Sequence, residues 1–256
     1  MTGAMTADAR ARRPRRGASV TGVLGELLIT VGVVVLLYAA WQLWVGDWIM
    51  GAQANAEGHE LAEEWALADD AAILPDPADP ADPAEPVDPA AIAPPTEGDV
   101  FGLLYVPRFG DDYTVKVADG VDKRSILDQA MIGHYVDTQL PGEVGNFALA
   151  AHRTTFGAPF ARIADLHVGD AIVLETQEGW YTYRFRTLEY VRPDAVEVLL
   201  PVPQALGAEA GDRFITLTSC SPRYSNVERI IAYGSFDSFQ PRGAGAPTSL
   251  DPVTEA

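Results

Sequence analysis

The one cysteine of this 256-residue chain, Cys220, closes the apolar, β-branched run Phe214-Ile215-Thr216-Leu217-Thr218-Ser219. Nine residues on, Arg229 opens a second such run, Ile230-Ile231-Ala232-Tyr233. A lone thiol cannot close an intramolecular disulfide. It is either a small buried hydrophobe or a group kept for its reactivity. A nucleophilic thiol needs a base or a cation that raises its thiolate fraction at neutral pH. Four histidines are available: His59, His134, His152 and His167. His59 lies in a charged helical stem and His167 in a turn, Asp165-Leu166-His167-Val168-Gly169-Asp170, where a solvated role is expected. His152 follows the strand-like Asn146-Phe147-Ala148-Leu149-Ala150-Ala151, a position from which a ring can be aimed into a cleft. A guanidinium at Arg229 would stabilise an oxyanion on a reacting carbonyl. Arg153 and Arg223 compete for that role, and a surface pair between Arg229 and Glu228 is the plain alternative.

Short β-like runs surround these residues, at 100–106, 113–117, 144–150, 170–176, 180–190, 195–200, 213–219 and 229–236. Apolar and polar residues alternate clearly in Tyr181-Thr182-Tyr183-Arg184-Phe185-Arg186. Helix-like pieces interrupt the runs at 123–131 and 159–166. Many short strands at such spacing predict a sandwich or a barrel. If 213–219 and 229–236 are neighbours in the sheet, Cys220 and Arg229 lie at the same end of it.

The remainder of the chain is divided by charge. Arg10, Arg12, Arg13, Arg15 and Arg16 crowd the N-terminus, whereas residues 57–99 hold thirteen acids and neither Lys nor Arg. Between them, residues 27–46 carry no charge, and a helix of that length crosses a hydrocarbon core of about 30 Å. Trp41, Trp44 and Trp48 fit an interfacial belt, and the preceding arginines predict a cytoplasmic N-terminus. A signal peptide cleaved near Ala52, Ala54 or Ala56 is the competing reading, although its apolar region would be shorter. Glu26 sits at the cytoplasmic edge with no assigned role. The expected order is a basic segment (1–26), a transmembrane helix (27–46), a juxtamembrane segment with helical character (47–74), a Pro/acidic extended linker (75–99), a globular domain (100–238) and a disordered tail (239–256). The near-periodic Pro-Asp-Pro-Ala of the linker forbids helix and sheet and favours an extended spacer over a calcium site. A net charge of −18 argues against nucleic acid as a partner.

Thr216-Leu217-Thr218-Ser219-Cys220, followed by Arg229 on the next strand, resembles the sortase signature TLxTC with its arginine. The segment 146–152 resembles the one that ends in the sortase histidine. Gly133-His134-Tyr135, Leu140-Pro141-Gly142-Glu143-Val144-Gly145-Asn146 and His152-Arg153-Thr154-Thr155-Phe156-Gly157 are most similar to class E sortases of high-GC Gram-positive bacteria. The likeness covers 100–236, with Ser219 replacing the commoner threonine. It implies a mostly β protein, a closed sortase-type barrel with short helices behind a transmembrane helix and spacer. It also implies that Cys220 is the nucleophile, His152 the general acid/base and Arg229 the oxyanion or substrate-positioning group. Tyr135, Thr218 and Ser219 become substrate contacts, and His134 a structural residue.

The activity so implied is transpeptidation. The thiolate cleaves the Thr–Gly bond of a C-terminal sorting signal, LAxTG- or LPxTG-like, in secreted surface proteins. A peptidoglycan precursor amine then resolves the thioester. The chain would be a single-pass protein of the cell membrane with its catalytic domain extracellular. No cofactor and no metal are expected. A pilin-polymerising sortase and a catalytically inactive, wall-associated binding barrel are the alternatives.

Overall fold

The computed structural model describes residues 19–41, 45–71 and 87–251. The N-terminal arginines, the Pro/acidic stretch 75–86 and residues 252–256 lie outside the described residues. The chain forms two compact units, 1–42 and 43–256.

Helix α1 (Val20–Ala40) belongs to the first unit. Ser19 caps it, its Oγ accepting from the Gly22 amide at 3.0 Å, and the Glu26 carbonyl is bonded by Thr30 Oγ1. Its 21 residues are long and apolar enough to cross a membrane by length and composition, spanning about 31 Å. The apolar run placed this helix at 27–46. It starts at Val20 instead, because one glutamate does not interrupt a helix and the cap at Ser19 supplies a start that a search for uncharged residues overlooks.

The second unit opens with α2 (Gly46–Ala71) and continues into eight strands. They are β1 (Val100–Tyr105), β2 (Thr114–Asp119), β3 (Ile132–His134), β4 (Gly145–Ala150), β5 (Ala171–Glu175), β6 (Gly179–Val191), β7 (Arg213–Ser221) and β8 (Glu228–Pro241). They close a barrel in the order β1-β2-β3-β4-β7-β8-β6-β5. The β2–β3 and β4–β7 pairs are parallel and the others antiparallel. Alternation decides what faces inward. Phe147 and Leu149 of β4, Ile215 and Leu217 of β7, Tyr181 and Tyr183 of β6, and Ile230 and Ala232 of β8 meet in one core. Each of the larger of these side chains contributes roughly 1.5–3 kcal/mol by leaving water.

Helix α2 lies along β2. Glu57 pairs with Lys116 at 2.5 Å, Asn55 Oδ1 accepts from the Thr114 amide, and His59 Nε2 lies 3.1 Å from the Asp112 carbonyl. Gly58 permits the close approach, since a Cβ there would fall 2.3 Å from the Thr114 carbonyl oxygen.

Several expectations need correction. Residues 195–200 form a 3-10 turn (Val196–Leu199) rather than a strand, with the Asn146 side chain donating to the Val198 carbonyl. The helix-like pieces reduce to single 3-10 turns at Leu127–Gln129 and Ile163–Asp165. The three-residue β3 went unseen because it is too short for a period. Residues 87–99 pack on the barrel instead of standing off as linker: Ile92 is buried, the Ala90 carbonyl accepts from Tyr181 Oη at 2.6 Å, and Gly98 and Asp99 bond Asp119. Burial there pushes the Tyr181 phenol up to about 12. The tail from 239 is also ordered in its described part. Strand β8 runs to Pro241, and Arg242 bonds Glu175 at 2.9 Å and the Thr176 carbonyl while lying over the Trp65 ring. Gly- and Pro-rich composition concealed these anchors, because the residues that hold the tail lie on α2 and β5.

Candidate active site

Strands β4, β7 and β8 lie side by side, and their register brings the sequence candidates together. In the parallel β4–β7 pair Ala150 is opposite Thr218. The chain then extends the match: the Ala151 amide donates to the Thr218 carbonyl and Ser219 Oγ donates to the Ala151 carbonyl at 2.7 Å. Two steps beyond Ala150 stands His152, and two beyond Thr218 stands Cys220. In the antiparallel β7–β8 pair Cys220 is the direct partner of Arg229. Directly opposed residues project to the same face, with Cβ atoms about 4.5–5.5 Å apart. Since Phe147, Leu149, Ile215, Leu217 and Ile230 point inward, the alternate positions His152, Cys220 and Arg229 point outward. All three line one open groove of about 640 Å³.

Cys220 is a free, partly exposed thiol at the end of β7. His152 is held on two sides: its Nε2 lies 2.8 Å from Asp128 Oδ1, and its ring stacks on Phe156 at 5.2 Å between centroids. The loop carrying Phe156 is unusual, with Thr155, Phe156, Gly157 and Ala158 all at left-handed φ. Non-glycine residues there cost roughly 1–2 kcal/mol each, so surrounding contacts must hold the loop. One such contact comes from α2, where Asp47 Oδ2 accepts from the Thr155 amide at 2.8 Å. Arg229 Nη1 donates to the carbonyls of Asn226 and Glu228, both at 3.0 Å. The plain alternative of an ion pair with the Glu228 carboxylate is therefore replaced by backbone contacts that fix the guanidinium beside the groove.

The other candidates separate clearly. Tyr135 lines the groove, and its Oη lies 3.1 Å from Thr218 Oγ1. Thr218 and Ser219 also line it, but their hydroxyls donate to the carbonyls of Leu149 in β4 and of Ala151 just after it, so they tie the cysteine strand to the segment that carries the histidine. Arg153 is buried but also lines the groove, with Nη1 near the Cys220 carbonyl and Ser221 Oγ, so it remains beside Arg229 as a second guanidinium of the site. Arg223 is exposed and lies outside the groove lining. His134 is buried and bonded to Asp119 at 2.8 Å, away from the groove, as a structural histidine should be. Two participants were missed. Asp128 lies 24 residues before His152 with no motif linking them, and Asp47 belongs to α2, far from the barrel strands in sequence.

A profile of the sortase domain matches residues 104–237. The sortase SrtE2 of Streptomyces coelicolor is 33% identical over 230 residues, covering 87% of this chain and 85% of that protein. The chain belongs to the sortase family. Sortase SrtE1 of the same organism is 35% identical over 249 residues, 95% of this chain, and the chain spans 64% of that relative's length. Among solved structures, the SrtA sortase from Actinomyces oris matches with a TM-score of 0.61 at 37% identity, covering 66% of this chain and 97% of that one. Sortase E1 from S. coelicolor, solved with a tripeptide in the active site, matches at 0.56 and 38% identity, covering 60% of this chain and 97% of that one. These relatives place the sortase described here with class E. Sortases are cysteine transpeptidases, and this one has a single cysteine.

Proposed function

We propose that this sortase is a membrane-anchored transpeptidase in which Cys220, His152 and Arg229 act on the Thr–Gly bond of a C-terminal sorting signal of the LAxTG or LPxTG type. The carrying observation is the placement of the one thiol between a histidine at the end of the neighbouring parallel strand and an arginine on the neighbouring antiparallel strand. The Cys220 thiolate attacks the threonine carbonyl, and Arg229 stabilises the oxyanion that forms. As the C–N bond breaks, His152 delivers its proton to the departing glycine amine, leaving the threonine acyl group on sulfur. A thioester keeps its acyl-transfer potential, so a peptidoglycan precursor amine can take the acyl group. His152 accepts the amine's proton and the thiolate leaves. The tripeptide in the active site of the S. coelicolor relative supports a peptide substrate for this groove.

Tyr135, Thr218 and Ser219 border the groove as contacts for the signal, with Tyr135 contributing to the preference for alanine or proline at its second position. Helix α1 serves as a single-pass anchor. The five arginines before it support a cytoplasmic N-terminus and an extracellular barrel.

The test uses the full chain in detergent micelles with a peptide containing Leu-Ala-x-Thr-Gly and an amine acceptor. Cys220→Ala is expected to abolish transfer, by at least about 10³-fold. Hydroxylamine should release a hydroxamate from the wild type only. Undiminished transfer by Cys220→Ala would end the proposal. A lysine of a pilin subunit outcompeting wall-peptide amines would instead assign pilin polymerisation.

A further inference from the structure

Of the side chains that touch the three groove residues, Asp128 has the most direct contact. Its Oδ1 lies 2.8 Å from His152 Nε2, and the two side chains are 18% and 17% exposed. Asp128 is not among the residues that line the groove, whereas its neighbour Leu127 is. His152 is its only hydrogen-bonded side-chain partner among the described residues. The segment that presents it is well fixed. Asp122 Oδ1 accepts from the Arg124 and Ser125 amides and from Ser125 Oγ, the Asp128 amide donates to the Lys123 carbonyl at 2.7 Å, and Ala130 closes the turn at φ 58°.

We propose that Asp128 is the positioning residue for His152, setting its tautomer and strengthening it as the acid/base. The proposal rests on the reading of His152 given above. An ionised carboxylate only accepts, so Nε2 must carry hydrogen. In the neutral ring Nδ1 is then the bare nitrogen, able to take the thiol proton. When the ring is protonated, Asp128 stabilises the imidazolium that delivers a proton to the leaving amine. Phe156 fixes the ring plane and Asp128 fixes its rotation within that plane. The other charged or titratable groups that line the groove with His152 are Lys123, Tyr135, Arg153, Cys220, Tyr224 and Arg229. Asp128 is therefore the sole carboxylate in contact with it among the described residues.

The test compares Asp128→Asn, Asp128→Glu and His152→Ala in the full chain, using the peptide and amine assay across a pH series. Asp128→Asn is expected to lower kcat roughly 10- to 100-fold with KM for the peptide within about twofold. The pH profile of kcat should change as well, which a merely structural role for the carboxylate would not bring about. Asp128→Glu should recover part of both effects. A kcat unchanged within twofold and an unchanged pH profile in Asp128→Asn, while His152→Ala is inactive, would overturn the proposal and leave the catalytic assignment standing. An active His152→Ala would instead defeat the catalytic assignment. Should Asp128→Asn lose its melting transition, nitrogen-15 spectra of the wild-type ring decide: a hydrogen on Nε2 supports the proposal and a neutral ring with hydrogen on Nδ1 overturns it.

Discussion

Cys220 and Arg229 face each other across the β7–β8 pair, one rung before the strands part at Ser221 and Glu228. The position combines order with access. Below it the ladder fixes both backbones, and beyond it the loop 222–227 opens over the groove. The Arg229 guanidinium is held by the Asn226 and Glu228 carbonyls, and no carboxylate pairs with it among the described residues. On the proposed oxyanion role, Arg229→Ala should lower kcat by roughly 10²–10³. Arg229→Lys should recover only part, because an ammonium does not reproduce the planar fork. Thermal melts should show both variants folded.

The contact between α2 and β2 makes α2 part of the same compact unit as the barrel. A Cβ on Gly58 would fall 2.3 Å from the Thr114 carbonyl oxygen and 2.9 Å from its carbon, and backbone cannot rotate away. Gly58→Ala should lift α2 from the barrel and destabilise the unit by about 1–3 kcal/mol. The same variant should weaken the Glu57–Lys116 pair, whose hydrogen bond holds the Glu57 carboxyl below its usual range. Hydrogen exchange at β2 and proteolysis within 46–71 measure the effect. Unchanged protection at both would contradict this packing.

What the sequence made legible follows from what is local. The runs around Cys220 and Arg229 are nine residues apart, so their pairing could be read from two apolar segments and a short loop. His152 was legible because it ends an apolar strand in a recognisable segment. Asp128 was not, because its link to His152 crosses 24 residues and depends on how the turn 122–130 folds back. Asp47 was further removed, bonding Thr155 across 108 residues. Strand order was equally hidden: nothing local says that β4 and β7, far apart in the chain, run parallel and adjacent. Proline-rich composition misled at 87–99, since an extended chain can dock through a few residues such as Ile92 and the Ala90 carbonyl.

That parallel β4–β7 pair has a polar tie of its own. Asn146 is fully buried, its Oδ1 accepting from Thr216 Oγ1 at 2.8 Å and its Nδ2 donating to the Val198 carbonyl. Thr216→Val keeps the shape but strands the amide oxygen, at a cost of about 1–3 kcal/mol. Pairing it with Asn146→Ala in a double-mutant cycle should give a coupling of roughly 0.5–3 kcal/mol in chemical denaturation. Additive losses would show that the hydroxyl and amide do not act together.

Acid stability should depend on one ion pair distant from the groove. Arg108 Nε and Nη2 donate to Asp170 Oδ2 and Oδ1 at 2.8 and 2.9 Å, joining the segment after β1 to the start of β5. Burial alone would raise the Asp170 carboxyl, but the Arg108 guanidinium and the His167 amide outweigh it and hold the carboxyl below its usual value. A carboxylate with a depressed folded pKa contributes stability that is fully present above the unfolded value, about 3.9, and is lost as pH falls through the folded value. Wild-type stability should therefore fall as pH drops below about 4. Asp170→Asn should be less stable at neutral pH and should lose less on acidification, so the two curves converge in acid. Chemical denaturation between neutrality and about pH 3 gives both curves. Parallel curves would show that this pair carries none of the acid sensitivity.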